Sequence, residues 1–139
     1  PAISISCVSK DQAVFPSDID IRLLTGAELI SGSTRLKAGT ATKMTLNMIS
    51  SIVMIKLGKV YKNKMVDVSS TNIKLLDRSI RILTDLTDID RDNAILLLKE
   101  TNGSLKTSIV MAITGKKLTE AERLLHNNNY NLRMALYTQ

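Results

Sequence analysis

One stretch of the sequence, residues 25–40, collects the residue types that bind anions. Its candidates are Glu28, Gly32, Ser33, Thr34, Arg35 and Lys37. A glycine lets the backbone approach a ligand closely, and a hydroxyl at Ser33 or Thr34 can cap a helix whose unpaired N–H groups favour an anion. Arg35 can hold an oxyanion with two parallel hydrogen bonds, while Lys37 acts as a point charge. The stretch is therefore predicted to bind a phosphorylated or acidic small molecule.

Glu28 is the one carboxylate of this stretch, and its own chemistry leaves several roles open. It can accept hydrogen bonds from sugar hydroxyls, pair with Arg35, or transfer a proton. A plainer alternative is that Ser33 only caps a helix while Arg35 and Lys37 are solvated, because helix caps are far commoner than binding sites.

The order of these residues resembles the signature of the N-acetylmuramic acid 6-phosphate etherase and glucokinase regulatory protein family. The similar segments are Gly26 to Glu28, Gly32 to Thr40, Lys43, Leu46 to Met48, Leu57 to Tyr61, Asn63, Met65 to Val68, Thr71-Asn72 and Lys74-Leu75. The etherases match better than the regulators, and the resemblance extends through the helical tail to cover essentially the whole chain. Ala27 departs from the family, which usually has proline there.

The resemblance implies an etherase that uses water to cleave the lactyl ether of N-acetylmuramic acid 6-phosphate, giving N-acetylglucosamine 6-phosphate and D-lactate. It implies no cofactor and no metal, a homodimer, and a role in cytoplasmic recycling of bacterial cell-wall sugars. In this family the catalytic glutamates and the loop that holds the 6-phosphate precede the motif, so no catalytic residue is expected in this chain. We therefore assign the six candidates to substrate binding, and we expect the isolated chain to be inactive.

An alternative from another functional class is a non-catalytic sensor of phosphosugars, as in the glucokinase regulatory branch of the family. Paired catalytic glutamates upstream would indicate the etherase, and their loss would indicate the sensor. A third possibility is that residues 90–136 bind peptides independently.

Two short strands and a long helix are predicted to position the binding stretch. Residues 2–8 and 19–24 alternate apolar and polar side chains, which is typical of strands. Residues 33–57 have a helical pattern with apolar side chains on most sides, so we expect a buried helix. Two strands are too few to bury a sheet, which indicates that upstream sequence or a partner chain supplies more.

The tail is predicted to be a small helical module. A helix at residues 72–86 leads into a helix–turn–helix unit used twice at an offset of 27 residues, which by resemblance is of the ubiquitin-associated type. Asp90 is expected to cap the first copy, and Thr119 with Glu122 to form a capping box on the second. The predicted fold is α/β and predominantly helical. It comprises the C-terminal portion of a doubly wound sugar-isomerase (SIS) phosphosugar domain over residues 1–71 and the helical module, with its linking helix, over residues 72–139.

Composition argues against several other classes of function. The net charge of +6 is spread along the chain and only four aromatic residues are present, which gives little support to nucleic-acid binding. No apolar run is long enough to predict a membrane span. The lone Cys7 fits a reducing cytoplasm. The acidic run at residues 88–92 fails as a calcium loop, because Asn93 and Lys99 stand where such a loop needs glycine and glutamate.

Overall fold

The computed structural model describes residues 1–68 and 72–137. The chain folds as two compact units, Pro1–Ile52 and Val53–Gln139. Within the described residues it is predominantly helical with two small sheets, in agreement with the predicted helical content and α/β class. The domain division expected between residues 71 and 72 stays a prediction, and Thr71 lies outside the described residues.

The first unit contains both predicted strands and the start of the predicted long helix. Strands β1 (Ile3–Ser6) and β2 (Ile19–Arg22) pair in parallel, with Ile3 opposite Ile19 and Ser6 opposite Arg22. Their alternating isoleucines suit a pleated strand, although Ile3 and Ile19 are 54% and 53% exposed. Helix α1 (Lys37–Lys56) begins within residues 25–40, so the polypeptide passes from the end of β2 through this candidate binding stretch into the helix.

Helix α1 is largely exposed, and the prediction that it would be buried is wrong. Thr45, at 8% exposure, is its one buried residue. Its apolar side chains at 52–56% exposure are Met44, Leu46, Met48, Ile52 and Ile55. The helix is apolar on most sides, as the periodicity of the sequence predicted. It is nevertheless exposed, because the first unit offers only a two-stranded sheet for it to pack against. No helix of the described residues is long and apolar enough to cross a membrane.

The second unit is a helical bundle preceded by a hairpin. The hairpin strands are β3 (Val60–Tyr61) and β4 (Lys64–Met65), which pair antiparallel. The helices are α2 (Ile73–Leu86), α3 (Arg91–Glu100), α4 (Leu105–Thr114), α5 (Leu118–Asn127) and α6 (Leu132–Tyr137). Helix α4 is the most enclosed, because every residue from Leu105 to Met111 is buried. The core forms around it.

Side-chain caps define the helix starts in the second unit. Asn72 accepts the N–H of Leu75 at 2.9 Å, and Asp90 accepts the N–H of Asn93 at 2.8 Å, so the predicted Asp90 cap is confirmed. The capping box of Thr119 and Glu122 is wrong. Helix α5 begins at Leu118, two residues too early for that box, and the carboxylate of Glu120 instead accepts the N–H of Lys117 at 3.4 Å.

Two glycines of the second unit offer a matched test of this packing. Gly58 and Gly115 have nearly the same left-handed backbone, with φ of 67° and 68°. A Cβ on Gly58 would lie 3.0 Å from the Cα of Asn131, whereas nothing lies within 4 Å of one on Gly115. We expect Gly115→Ala to lower the free energy of unfolding by about 1–2 kcal/mol, the conformational penalty alone. Gly58→Ala should cost at least about 1 kcal/mol more, because the added methyl overpacks a backbone contact.

Urea unfolding of the two variants and the wild-type chain measures this difference. Equal destabilisation of the two variants would show that the described contact between Gly58 and Asn131 does not form.

Candidate functional site

Arg22, at the end of β2, holds the loop that joins the two strands of the first unit. Its Nη1 donates to the carbonyls of Val8 at 3.1 Å and Ala13 at 2.8 Å, and its Nε donates to Asp20 at 2.9 Å. The guanidinium also lies over the ring of Phe15, 5.2 Å from its centroid. These contacts fix the end of the sheet from which the binding stretch departs.

Glu28 caps helix α1. One carboxylate oxygen accepts the N–H of Lys37 and the other accepts the N–H of Ala38, both at 2.9 Å. The ammonium of Lys37 donates to the carbonyl of Ala27 at 2.6 Å, which closes the loop from the other side. Of the roles left open by the sequence, pairing with Arg35 is not what the structure shows. Glu28 binds the first N–H groups of the helix.

The prediction that Ser33 or Thr34 caps the helix is wrong, because Glu28 accepts the first N–H groups of α1 instead. Helix α1 begins at Lys37, and the residues before it form a tight turn in which Leu36 N–H donates to the carbonyl of Ser33 at 3.1 Å. An ionised carboxylate is a stronger acceptor than a hydroxyl and has two oxygens for two N–H groups. Glu28 therefore takes the capping position, even though it lies nine residues before the helix.

The remaining candidates lie on the turn itself. Gly32 has φ of 78°, a left-handed conformation that a glycine adopts without strain, as expected for the corner of a loop. Arg35 is exposed and, within residues 1–68 and 72–137, makes no hydrogen bond or ion pair. Thr34 lines a shallow groove of about 520 Å³ along the first turns of α1, together with Lys43 and Asn47. Arg35 and Lys43 are thus cations available to a ligand.

Glu28 differs from these cations because its charge is engaged by backbone N–H groups of its own unit. Hydrogen bonds from the N–H groups of Ala38 and then Lys37 hold the pKa of Glu28 below its usual range. The carboxylate is therefore ionised at neutral pH, and its negative charge offsets the positive end of the helix dipole. An ionised carboxylate that accepts two hydrogen bonds has no proton to donate. This arrangement can bind and orient an anion through Arg35 and Lys43, but it contains no general acid.

Sequence reasoning missed two residues of this site. Arg22 was treated only as part of a strand, although the spacing of Asp20 and Arg22 places both on one face and predicts their ion pair at 2.8 Å. Hydrogen bonds from Arg22 and then Ser4 hold the pKa of Asp20 below its usual range. Lys43 was noted as part of the motif but not as a candidate, although it lies only six residues beyond Lys37 on the same helix.

We expect Glu28→Gln to destabilise the start of α1 at neutral pH. Because the pKa of Glu28 is lower in the folded chain, the stability that it contributes is present above its unfolded-state pKa and is lost as pH falls through its folded-state pKa. The urea midpoints of wild type and variant should therefore differ at neutral pH and converge as the pH falls through the folded-state pKa of Glu28.

The amide signals of Lys37 and Ala38 report this contact directly. They should shift in Glu28→Gln and stay in place in the control Glu122→Gln, which removes an exposed carboxylate from the second unit. A difference in urea midpoint that persists at acid pH would contradict the charge-assisted cap.

Comparison with known proteins identifies relatives along almost the whole chain. An N-acetylmuramic acid 6-phosphate etherase of Prochlorococcus marinus (strain NATL1A) is 56% identical over 135 residues, which are 97% of this chain and 44% of that protein. A protein of the same name from Parasynechococcus marenigrum (strain WH8102) is 57% identical over 134 residues, covering 96% of this chain and 42% of that protein. A third, from a Picosynechococcus species, is 52% identical over 134 residues. No protein-family model matches the chain.

The chain spans less than half the length of the curated relatives that it matches. Within that span more than half of its residues are identical to theirs, and the aligned region includes the binding stretch and most of the helical tail. The resemblance read from the motif is confirmed: this chain is a homologue of the N-acetylmuramic acid 6-phosphate etherases.

Proposed function

We propose that this chain is the C-terminal half of an N-acetylmuramic acid 6-phosphate etherase. The observation that carries the proposal is identity of 52–57% over nearly the whole chain to proteins of that name. The reaction is a lyase reaction: the bond between the sugar and its D-lactyl group breaks, water enters, and N-acetylglucosamine 6-phosphate and D-lactate leave. The setting is the bacterial cytoplasm, which suits the free thiol of Cys7.

In this proposal the stretch from Glu28 to Lys37 binds and orients the phosphorylated amino sugar. Arg35 and Lys43 supply charge-assisted hydrogen bonds to its anionic groups, because neither cation is engaged within its own unit. Gly32, Ser33 and Thr34 shape the turn, while Glu28 and Lys37 hold it against α1. The elimination needs an acid and a base on the sugar, and these come from glutamates in the upstream half.

The exposed apolar surface of the first unit supports an upstream half that packs against it. Between β2 and α1, Leu24, Leu29 and Ile30 are 68%, 89% and 58% exposed, in addition to the apolar side chains of α1. Exposed apolar side chains in this number favour an interaction site, because soluble proteins rarely leave large apolar patches uncovered. We propose that it completes a doubly wound sugar-isomerase (SIS) domain in a homodimer, and that the second unit is its ubiquitin-associated-like module.

The non-catalytic sensor is not favoured. The relatives compared above are all named etherases, and nothing in the described site distinguishes a sensor from an enzyme.

We expect the purified 139-residue chain to cleave no ether on its own. Mixing or co-expressing it with the separately produced upstream half of a related etherase should restore lactate release from N-acetylmuramic acid 6-phosphate. The upstream half alone is the control and should also be inactive. Ether cleavage by the 139-residue chain alone would contradict the proposal, since it would require an acid and a base among its own residues.

Arg35→Ala, made in the full-length enzyme, should weaken substrate binding about tenfold or more, the loss expected for one charge-assisted hydrogen bond. The melting temperature should change by no more than about 2–4 °C, because Arg35 makes no contact that stabilises its unit. Arg123→Ala, which removes another exposed arginine, is the matched control. Calorimetry showing unchanged affinity in Arg35→Ala would make Arg35 a solvated residue and remove it from the site.

A further inference from the structure

A cleft of about 570 Å³ in the second unit has the chemistry of an anion site. It lies between the segment that follows β4 and the start of α4, and its apolar lining includes Val66 and Leu105, each 1% exposed. Lys59, Asp67 and Lys106 also line it. Beside these buried apolar side chains the local dielectric is lower than at an open surface, so nearby charges act more strongly there.

Asp67 is shared by two lysines. One of its carboxylate oxygens lies 2.7 Å from the Nζ of Lys59, and the other lies 3.4 Å from the Nζ of Lys106. The hydrogen bond from Lys59, and then the charge of Lys106, keep the pKa of Asp67 below its usual range, so the carboxylate is ionised. Two positive charges therefore face one negative charge, and the cleft holds a surplus of one positive charge.

Lys106 is buried, so the unbalanced positive charge raises the free energy of the folded chain. Its side chain is only 9% exposed, and its ammonium makes one short hydrogen bond, 2.9 Å, to the backbone carbonyl of Tyr130. A buried ammonium is stable only when it is paired and hydrogen-bonded, and here its ionic partner is at 3.4 Å and is shared. An added anion would complete that pairing.

We propose that this cleft binds an oxyanion, either a phosphate or a carboxylate carried by a small polar molecule, in contact with the ammonium groups of Lys59 and Lys106 and beside Asp67. The hydroxyl groups of Ser104 and Thr107 line the same cleft and share a hydrogen bond at 2.7 Å, so one of the two keeps a free O–H that can donate to it. The inference does not depend on the etherase function, because it uses only charges and contacts within the second unit.

The competing account is that Lys106 is only a clamp that ties the loop at Tyr130 to α4. That account explains the bond to the carbonyl of Tyr130, but it gives no role to Lys59, which brings a second positive charge to the same carboxylate. The two accounts make opposite predictions for Asp67. Removing its negative charge strengthens an anion site, whereas a clamp alone gains no affinity for anions from it.

The test is a titration of the 139-residue chain with inorganic phosphate and, separately, with acetate, at constant ionic strength, followed by NMR signals of the lysine side chains. Saturable shifts at Lys59 and Lys106 are expected with at least one probe. Lys59→Met should weaken that binding about tenfold, the loss expected for one charge-assisted contact. Lys116→Met, which removes an exposed lysine outside the cleft, should leave it unchanged.

Asp67→Asn should bind the same probe more tightly than wild type. Binding of phosphate alone assigns the site to a phosphate group, and binding of acetate alone assigns it to a carboxylate. The proposal is overturned if neither probe saturates, if Lys116→Met loses as much affinity as Lys59→Met, or if Asp67→Asn binds no more tightly. Lys59 and Asp67 are partly exposed, so these two variants test the site even if Lys106→Met fails to fold.

Discussion

The first unit depends on one contact, the carboxylate of Glu28 on the first two N–H groups of α1. This contact fixes the start of the helix at Lys37 and folds residues 28–36 into a closed loop. It also occupies the helix terminus with the protein's own negative charge. In the proposed function, an anionic ligand therefore binds the exposed cations around the loop, above all Arg35, and not the end of the helix.

The two units differ in how far each covers its own apolar surface. In the second unit every residue from Leu105 to Met111 is buried, so helix packing supplies a complete core. In the first unit, residues 1–52, Thr45 alone is buried. Burial of apolar area is the main favourable term in folding, so the first unit alone is expected to have a small free energy of unfolding. This contrast is the physical reason for assigning it to a larger domain.

Much of the fold could be predicted from the sequence, because periodicity and caps are local. The strands, the long helix, the helix after Asn72 and the Asp90 cap follow from patterns within a few residues. The Glu28 cap could not be predicted in this way, since Glu28 lies nine residues before the helix and hydroxyls nearer to it are ordinary caps. The same reasoning misplaced the cap of α5 by two residues, because both registers offer a glutamate at the required spacing.

Exposure of α1 marks a second limit of sequence reasoning. The apolar pattern from Met44 to Ile55 predicts that other parts of the protein pack against the helix. A pattern within one segment cannot predict which parts these are. The candidate site has the same limit. The spacing of glycine, hydroxyl and cationic residues predicted this stretch as the candidate site. Only the hydrogen bonds show that Glu28 holds the loop while Arg35 is free.

The central claim is that the corner around Glu28 binds the sugar and leaves acid–base catalysis to other residues. The most direct test is the pH profile of kcat for ether cleavage by the intact enzyme that carries this chain, compared with its Glu28→Gln variant. A carboxylate that only caps a helix predicts reduced activity with both limbs of the pH profile in place, because the groups that transfer protons are unchanged. Loss of one limb in Glu28→Gln would show that Glu28 transfers a proton in the reaction, and would contradict this account.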